Sequence, residues 1–275
     1  MKKRNIEELK ETARAIRIDA LKAIHAAGSG HPGGSLSAAD ILTALYFDVM
    51  NIDPKQPDME GRDRFVLSKG HANPGLYAAL AERGYYDVQE MMSLRRIGSH
   101  FQGHPNMHKV PGVEMSTGSL GQGFSVAVGM ATAGKISGDP GRVYTLTGDG
   151  ELQEGIIWEA AMAAAHRKLD NLCAIVDWNG LQIDGKVDNV KKVVPIDAKF
   201  RSFGWNVINV DGHSFEELLA AFDEARAVKG LPTVIVAKTH KGHGVSFMED
   251  QAGWHGKAPN DEQLAQAIEE LGGDR

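Results

Sequence analysis

The chain has little of what would place it in several common classes. It has one cysteine, Cys173, in 275 residues. That excludes a disulfide framework, and a thiol inside an apolar run reads as core rather than reactive. No apolar run approaches the roughly 18 residues that a membrane-spanning helix needs. There is no excess of positive charge. The formal net charge is −6, which leaves no electrostatic footprint for nucleic acid or an anionic membrane. The start, Met1-Lys2-Lys3-Arg4-Asn5, is basic, but Glu7, Glu8, Lys10 and Glu11 follow at once, so there is no apolar core for a signal peptide. Repeats and low-complexity tracts are absent. These absences fit a cytoplasmic enzyme or enzyme subunit.

What is present is an ordinary globular chain. Apolar residues make up 42%, enough for a large core. No domain boundary is visible, so residues 1–275 read as one domain. Ile6, Leu9, Ala13, Ile16, Ala20 and Ile24 recur at three- and four-residue steps, which predicts an amphipathic helix over 6–26. Ser37 reads as the cap of a second helix running to Met50. A polar, Pro-rich loop over 51–63 precedes a short strand over 64–67 that delivers His71 at its end. Helices are expected over 74–83, 88–96 and 120–136, the last built of small residues. A long loop over 98–118 lies before it. Further on come a helix over 155–168, a loop over 181–192, helices over 196–203, 214–229 and 261–271, and strands over 205–210 and 233–238. Residues 240–258 hold four Gly and three His and read as an active-site loop. Strands alternating with helices, several as continuous apolar runs, argue for a doubly wound, mainly parallel α/β sheet flanked by helices.

The most informative segment is Gly148-Asp149-Gly150-Glu151-Leu152-Gln153-Glu154-Gly155, with Asp177-Trp178-Asn179-Gly180 further on. Asp149 and Asn179 are 30 residues apart (179 − 149), and each follows a short β-branched run. Strand, turn, helix, strand is the implied order, with an oxygen ligand at the carboxyl end of each strand. Parallel neighbours would bring both into one crevice. A hard divalent cation such as Mg²⁺ takes carboxylate, amide and phosphate oxygens. A helix amino terminus after Gly150 would face the same phosphates. The segment therefore reads as a metal-diphosphate site, the alternative being a tight turn with an Asp cap. Four of the 11 histidines, His31, His71, His104 and His255, sit beside Gly in loops. Gly admits a ligand closely, and His donates to phosphate and trades protons near neutral pH. The alternative for each is a surface loop residue.

GDG followed 30 residues later by Asn resembles the thiamine diphosphate signature. Other segments are similar to transketolase: Ser29-Gly30-His31-Pro32-Gly33-Gly34, Ser68-Lys69-Gly70-His71-Ala72, Gly103-His104-Pro105, Ser116-Thr117-Gly118-Ser119-Leu120-Gly121-Gln122-Gly123 and Trp254-His255-Gly256. They run in the family's order over nearly the whole chain. The resemblance implies that Asp149, Asn179 and the Leu181 carbonyl bind the metal, and that Gly148 and Gly150 flank it. It places His71 and His255 near the diphosphate and the reacting carbon, and His31 and His104 on substrate hydroxyls. His31 and His255 would assist proton transfers at the ketose oxygens. Gly118 would offer its backbone to the aminopyrimidine, and Leu120 would hold the cofactor bent. A turn and a core contact are the alternatives for those two. Trp178 departs from the acidic or small residue often found before the Asn, which touches the outer wall of the site.

The implied function is transfer of a two-carbon ketol unit from a ketose phosphate to an aldose phosphate, within carbohydrate metabolism such as the pentose phosphate pathway. The cofactors are thiamine diphosphate and Mg²⁺. Nothing in the chain resembles the family's later half, which carries the glutamate that activates the aminopyrimidine. The resemblance is thus to the amino-terminal subunit of a split transketolase, active only with a carboxy-terminal partner, as a heterotetramer of two plus two. Glu154 would be an interface carboxylate meeting that glutamate; the alternative is a helix-surface residue. Two other readings stand beside this. One is a component of another thiamine diphosphate enzyme, including a transketolase-like pair on an unusual sugar. The other is a non-catalytic diphosphate-binding regulatory subunit.

Overall fold

A computed structural model describes residues 5–273; residues 1–4, with the basic start, and 274–275 lie outside the described residues. The chain opens with α1 (Ile6–Ala27) and α2 (Pro32–Ala44), which runs into a π-helical turn, Leu45–Val49. Strand β1 (Arg64–Leu67), a 3₁₀ turn (Gly70–Ala72) and α3 (Asn73–Arg83) follow. After a long loop come α4 (Gln122–Ser137), β2 (Val143–Gly148), α5 (Gly155–His166) and β3 (Leu172–Trp178). A hairpin of β4 (Leu181–Gln182) and β5 (Gly185–Lys186) leads to a single turn, α6 (Val187–Val190), and then α7 (Ile196–Ser202). The chain continues through β6 (Asn206–Asp211), α8 (Phe215–Ala227), β7 (Thr233–Lys238) and α9 (Asp261–Glu270).

The sheet has the order β1-β2-β3-β7-β6, and every pair is parallel. Its strands are apolar on both faces because helices cover both. Tyr144, Leu146, Cys173, Ile175 and Ile235 face a core formed with α1, α2, α3 and α8. Val143, Ala174, Val176, Val234 and Val236 face the opposite core, with Phe124, Phe200 and Trp205. Cys173 is fully buried and free, and burial pushes its thiol up to about 12. The chain order reverses between β3 and β7, so the crevice of this open sheet lies at the carboxyl ends of β2, β3 and β7.

α1 follows its sequence pattern closely. Asn5 caps it by accepting from the Glu8 amide at 2.8 Å, and Gly28, at φ 60°, ends it in the left-handed region. α2 differs from the expectation. It begins at Pro32 rather than after Ser37, and all 13 of its residues are buried. Pro fits the first turn, where its missing N–H is not needed. A helix buried all round carries no polar stripe to mark its start. Ser37 lies inside it and donates to Asp177 at 2.6 Å. The helix expected over 88–96 is a 3₁₀ segment, Val88–Ser93, and the loop expected over 181–192 contains the β4–β5 hairpin.

Candidate active site

A cavity of about 390 Å³ opens at the carboxyl ends of the central strands. His31, His71, Gly118, Leu120, Gly148, Asp149, Gly150, Glu154, Asn179, Leu181 and His255 all line it. His104 stands just beyond, its ring centroid 6.4 Å from that of His31. The sheet does the gathering. Gly148 is in register with Asp177, so Asp149 and Asn179 emerge side by side from adjacent strands.

Asp149 ties the two strand ends together. Its Oδ1 accepts from the Gly150 amide at 2.8 Å and its Oδ2 from the Gly180 amide at 2.6 Å. It is 1% exposed. Burial, with Asp177 nearby, pushes its carboxyl up to about 6 despite both amides. Each oxygen retains a lone pair, so two backbone bonds leave an under-compensated buried anion. Asn179 directs its Oδ1 to the Leu181 amide at 3.1 Å. The Leu181 carbonyl accepts from Lys241 Nζ at 3.2 Å.

The helix expected over 155–168 is present as α5 and does not start directly after Gly150. Residues Gly150–Gln153 form a 3₁₀ turn, and α5 begins only at Gly155. The reason is Glu151. It turns inward and accepts from Gly121 at 2.7 Å, Gly148 at 3.1 Å and Ser68 Oγ at 2.5 Å, which bends the backbone before the helix can start. Glu154 stands at the N-terminal end of α5 on the exposed rim and makes no side-chain cap bond. Positive charge comes instead from Lys69 and Lys241, both 2% exposed. Lys69 pairs with Asp177 and donates to the Gly34 carbonyl at 3.1 Å. Lys241 is held down to about 8 by burial and by Lys69, against the pull of Asp149 and Asp177. Lys69 lies in one of the transketolase-like segments and Lys241 in none, but neither stands out in the sequence, since a Lys in a loop is normally solvated.

Four imidazoles roof the cavity. His31 lies 5.3 Å from both His71 and His255 by ring centroids, and His71 lies 5.0 Å from His255. Gly118, at φ 151°, is what lets the long loop close on them. A Cβ there would sit 2.8 Å from His104 Cδ2. Burial and nearby cations lower His31 to about 4 and His255 to about 3, and burial with Lys69 holds His71 well below its usual value. All are neutral at pH 7.

The lowered histidines bear on acid stability. For His31 the folded value lies below the unfolded one, so the unfolded chain binds more protons between about pH 6.5 and 4. Its contribution is complete above that window and is lost as the pH falls through it. Asp149 works in the opposite sense, because its folded value is raised. The comparison of wild type with His31→Gln isolates the first effect. The melting temperature of His31→Gln is expected to fall less steeply from pH 6.5 to 4. Equal slopes would contradict the assignment.

The remaining histidines do other work. His213 Nδ1 donates to the Asp40 carboxylate at 2.7 Å and its ring stacks on His243 at 3.6 Å, while Arg17 donates to both Asp40 oxygens. Ligand atoms of Asp40, His213 and His243 lie within 4.8 Å of one another, but a guanidinium already neutralises that carboxylate. Trp178 is not among the residues that line the cavity; it borders a neighbouring pocket, with Lys238 Nζ 4.8 Å over its ring. No helix among the described residues is long and apolar enough to cross a membrane.

Fold and site define an α/β protein with a polar crevice at the carboxyl ends of a parallel sheet. The family model described as transketolase, thiamine diphosphate binding domain, matches residues 8–275. The chain belongs to the transketolase family and carries this domain. It is 45% identical to the 6-deoxy-6-sulfo-D-fructose transketolase subunit SqwG of Clostridium sp. (strain MSTE9), covering 96% of each chain. It is 44% identical to one of the apulose-4-phosphate transketolase subunits of Actinobacillus succinogenes, again covering 96% of each. The crystal structure of transketolase from Campylobacter jejuni superposes with a TM-score of 0.93 at 36% identity, covering 98% of this chain and 44% of that one. The chain thus spans nearly all of the subunit relatives and less than half of that transketolase.

Proposed function

We propose that this chain, as a single domain, is the diphosphate-binding subunit of a two-chain transketolase that moves a two-carbon ketol unit from a ketose phosphate to an aldose phosphate. The observation that carries the reading is Asp149, a buried carboxylate with spare lone pairs, joining the ends of β2 and β3 beside Asn179. Oxygen donors of that kind suit Mg²⁺. Asp149, Asn179 and the Leu181 carbonyl would hold the ion, and Lys69 and Lys241 would balance the diphosphate charge. Thiamine diphosphate, when bound, supplies a carbon nucleophile able to cleave and remake a bond beside a ketone. The protein's part is to bind, orient and handle protons. Leu120 and Gly118 would shape the wall against the cofactor. His31 and His104 would hold substrate hydroxyls, His71 and His255 would lie near the diphosphate and the reacting carbon, and His31 and His255 would assist proton transfers at the ketose oxygens.

The full-length match to chains named as transketolase subunits supports a partner. So does the surface. α4 and α5 pack together, and α4 turns Ile136, 79% exposed, and α5 turns Met162, 59% exposed, to the outside. Gly123 lets α4 lie against the end of β1, since a Cβ there would meet Ser68 Cα at 2.6 Å. We assign this small-residue face and Glu154 to the partner contact, in a heterotetramer of two plus two. The two subunit relatives are named for a sulfo-sugar and a sugar phosphate. Both names carry an anionic group on the sugar, as the proposed sugar phosphates do.

The roles of His31 and His255 are open to a direct test. His31 makes no side-chain cap bond to α2, and neither ring fills the core, so truncation leaves no cavity. In the reconstituted complex, His31→Ala and His255→Ala are expected to slow turnover ~10²–10⁴-fold with a small change in melting temperature. A large melting shift with a proportionate rate loss would mean that the residues are structural.

A further inference from the structure

Arg95 is placed unlike a solvated arginine. Its backbone adopts φ 59°, a conformation that residues with side chains seldom take. Its amide donates to the Phe101 carbonyl at 2.8 Å, closing the loop that leads to His104. The guanidinium then reaches back across the mouth of the cavity. Nη1 donates to Ser29 Oγ at 2.7 Å and Nη2 to the Gly103 carbonyl at 3.4 Å. The same Nη2 lies 3.3 Å from His31 Nδ1. Its Nε is buried with no partner among the described residues.

A guanidinium has donors only. The nitrogen of His31 that faces it must therefore present a lone pair. The neutral ring has one proton, which then belongs on Nε2. We infer that Arg95 is a positioning residue that locks His31 in the Nε2–H tautomer, so that the ring meets the cavity as a fixed hydrogen-bond donor. The same chemistry recurs across the cavity. Lys241 Nζ, a donor only in its charged form, lies 2.8 Å from His255 Nδ1. Two histidines thus have their Nδ1 atoms occupied by cations from two different loops. Burial and the Arg95 charge, which lower His31 to about 4, act in the same direction.

A donor locked in this way stabilises negative charge developing on an oxygen and needs no reorganisation to do so. It cannot serve as a base through Nε2. His31 would therefore polarise a substrate oxygen rather than take a proton from one. That consequence rests on the proposed transketolase reading; the tautomer itself does not.

The tautomer is measured directly on the full chain labelled with ¹⁵N-histidine, by long-range ¹H–¹⁵N correlation at pH 7.5, with His31 assigned by its loss in His31→Gln. Wild type is expected to show His31 in the pure Nε2–H form. Arg95→Met removes a charge-assisted donor, which biases the equilibrium roughly tenfold or more, so the Nδ1–H share is expected to rise at least about tenfold. Arg95→Glu replaces the donor with an acceptor and is expected to invert the tautomer to Nδ1–H. His255, held by Lys241, is the internal control and is expected to keep its signal in both variants. The inference is overturned by a wild-type His31 that is charged or carries its proton on Nδ1, a result that needs no variant to fold. It is also overturned by an unchanged His31 in Arg95→Glu. Neither outcome depends on cofactor or ketol transfer.

Discussion

Replacing Asp149 with Asn is expected to abolish Mg²⁺-dependent binding of thiamine diphosphate. The side chain keeps its shape and one acceptor oxygen, so it retains one of the two bonds from the Gly150 and Gly180 amides and turns an NH₂ toward the other. What it loses is the charge. That charge sits in a site where burial has raised the carboxyl to about 6, so a cation gains more there than at a solvated carboxylate. Groups one step behind a metal ligand already cost 10–100-fold in affinity when altered. Loss of the charged ligand itself is expected to cost at least roughly a hundredfold, about 3 kcal/mol. Asp149→Ala, which also orphans two buried amides, is expected to lower the melting temperature as well. Calorimetry with Mg²⁺ and thiamine diphosphate separates the two effects. Wild-type affinity in Asp149→Asn would remove Asp149 from the site.

The parts of this site that could be read from the sequence share a physical cause. Asp149 and Asn179 follow short apolar strands separated by one helix, and neighbouring parallel strands leave little choice about where their ends go. His31, His71, His104 and His255 stand beside glycines in loops, and the cavity and its rim collect all four. α1 was legible because its first turns expose Glu7, Glu8, Lys10 and Glu11 while Leu9, Ala13, Ile16 and Ala20 are buried. α2 was not, because every one of its residues is buried and periodicity vanishes. The 3₁₀ turn after Asp149 depends on Glu151 finding Ser68 and Gly121, contacts 83 and 30 residues away in the chain. Lys69, Lys241 and Arg95 were hidden for the same reason. Nothing in a local window distinguishes a lysine or arginine that the fold buries from one that it leaves in water. The insertion of β7 between β3 and β6 is likewise a long-range outcome.

The second large effect concerns the partner. Four carboxylates line the cavity among the described residues: Asp149, Glu151, Glu154 and Asp184. Asp149 is assigned to the metal. Glu151 is 2% exposed and held by two backbone amides and Ser68. Glu154 and Asp184 are exposed at the rim. None is a spare acid within the cavity. The carboxylate proposed to activate the aminopyrimidine must then come from a second polypeptide, docked over Glu154 and the α4–α5 face. Absence of such a group typically costs ~10²–10⁴-fold, before the loss of the remaining cofactor contacts is counted. Substitution of Ile136 and Met162 by Lys would be expected to weaken assembly while leaving the fold of this chain intact. Light scattering of the mixed chains would register the change.

The most direct measurement is ketol transfer by the 275-residue chain, assayed with saturating Mg²⁺, thiamine diphosphate, a ketose phosphate donor and an aldose phosphate acceptor. It is run first on the chain alone and then with a polypeptide that matches the rest of transketolase. No turnover from the chain alone, and turnover on mixing, is the expected result. Robust turnover from this chain by itself would contradict the two-chain reading, because the activating carboxylate would then lie within these 275 residues.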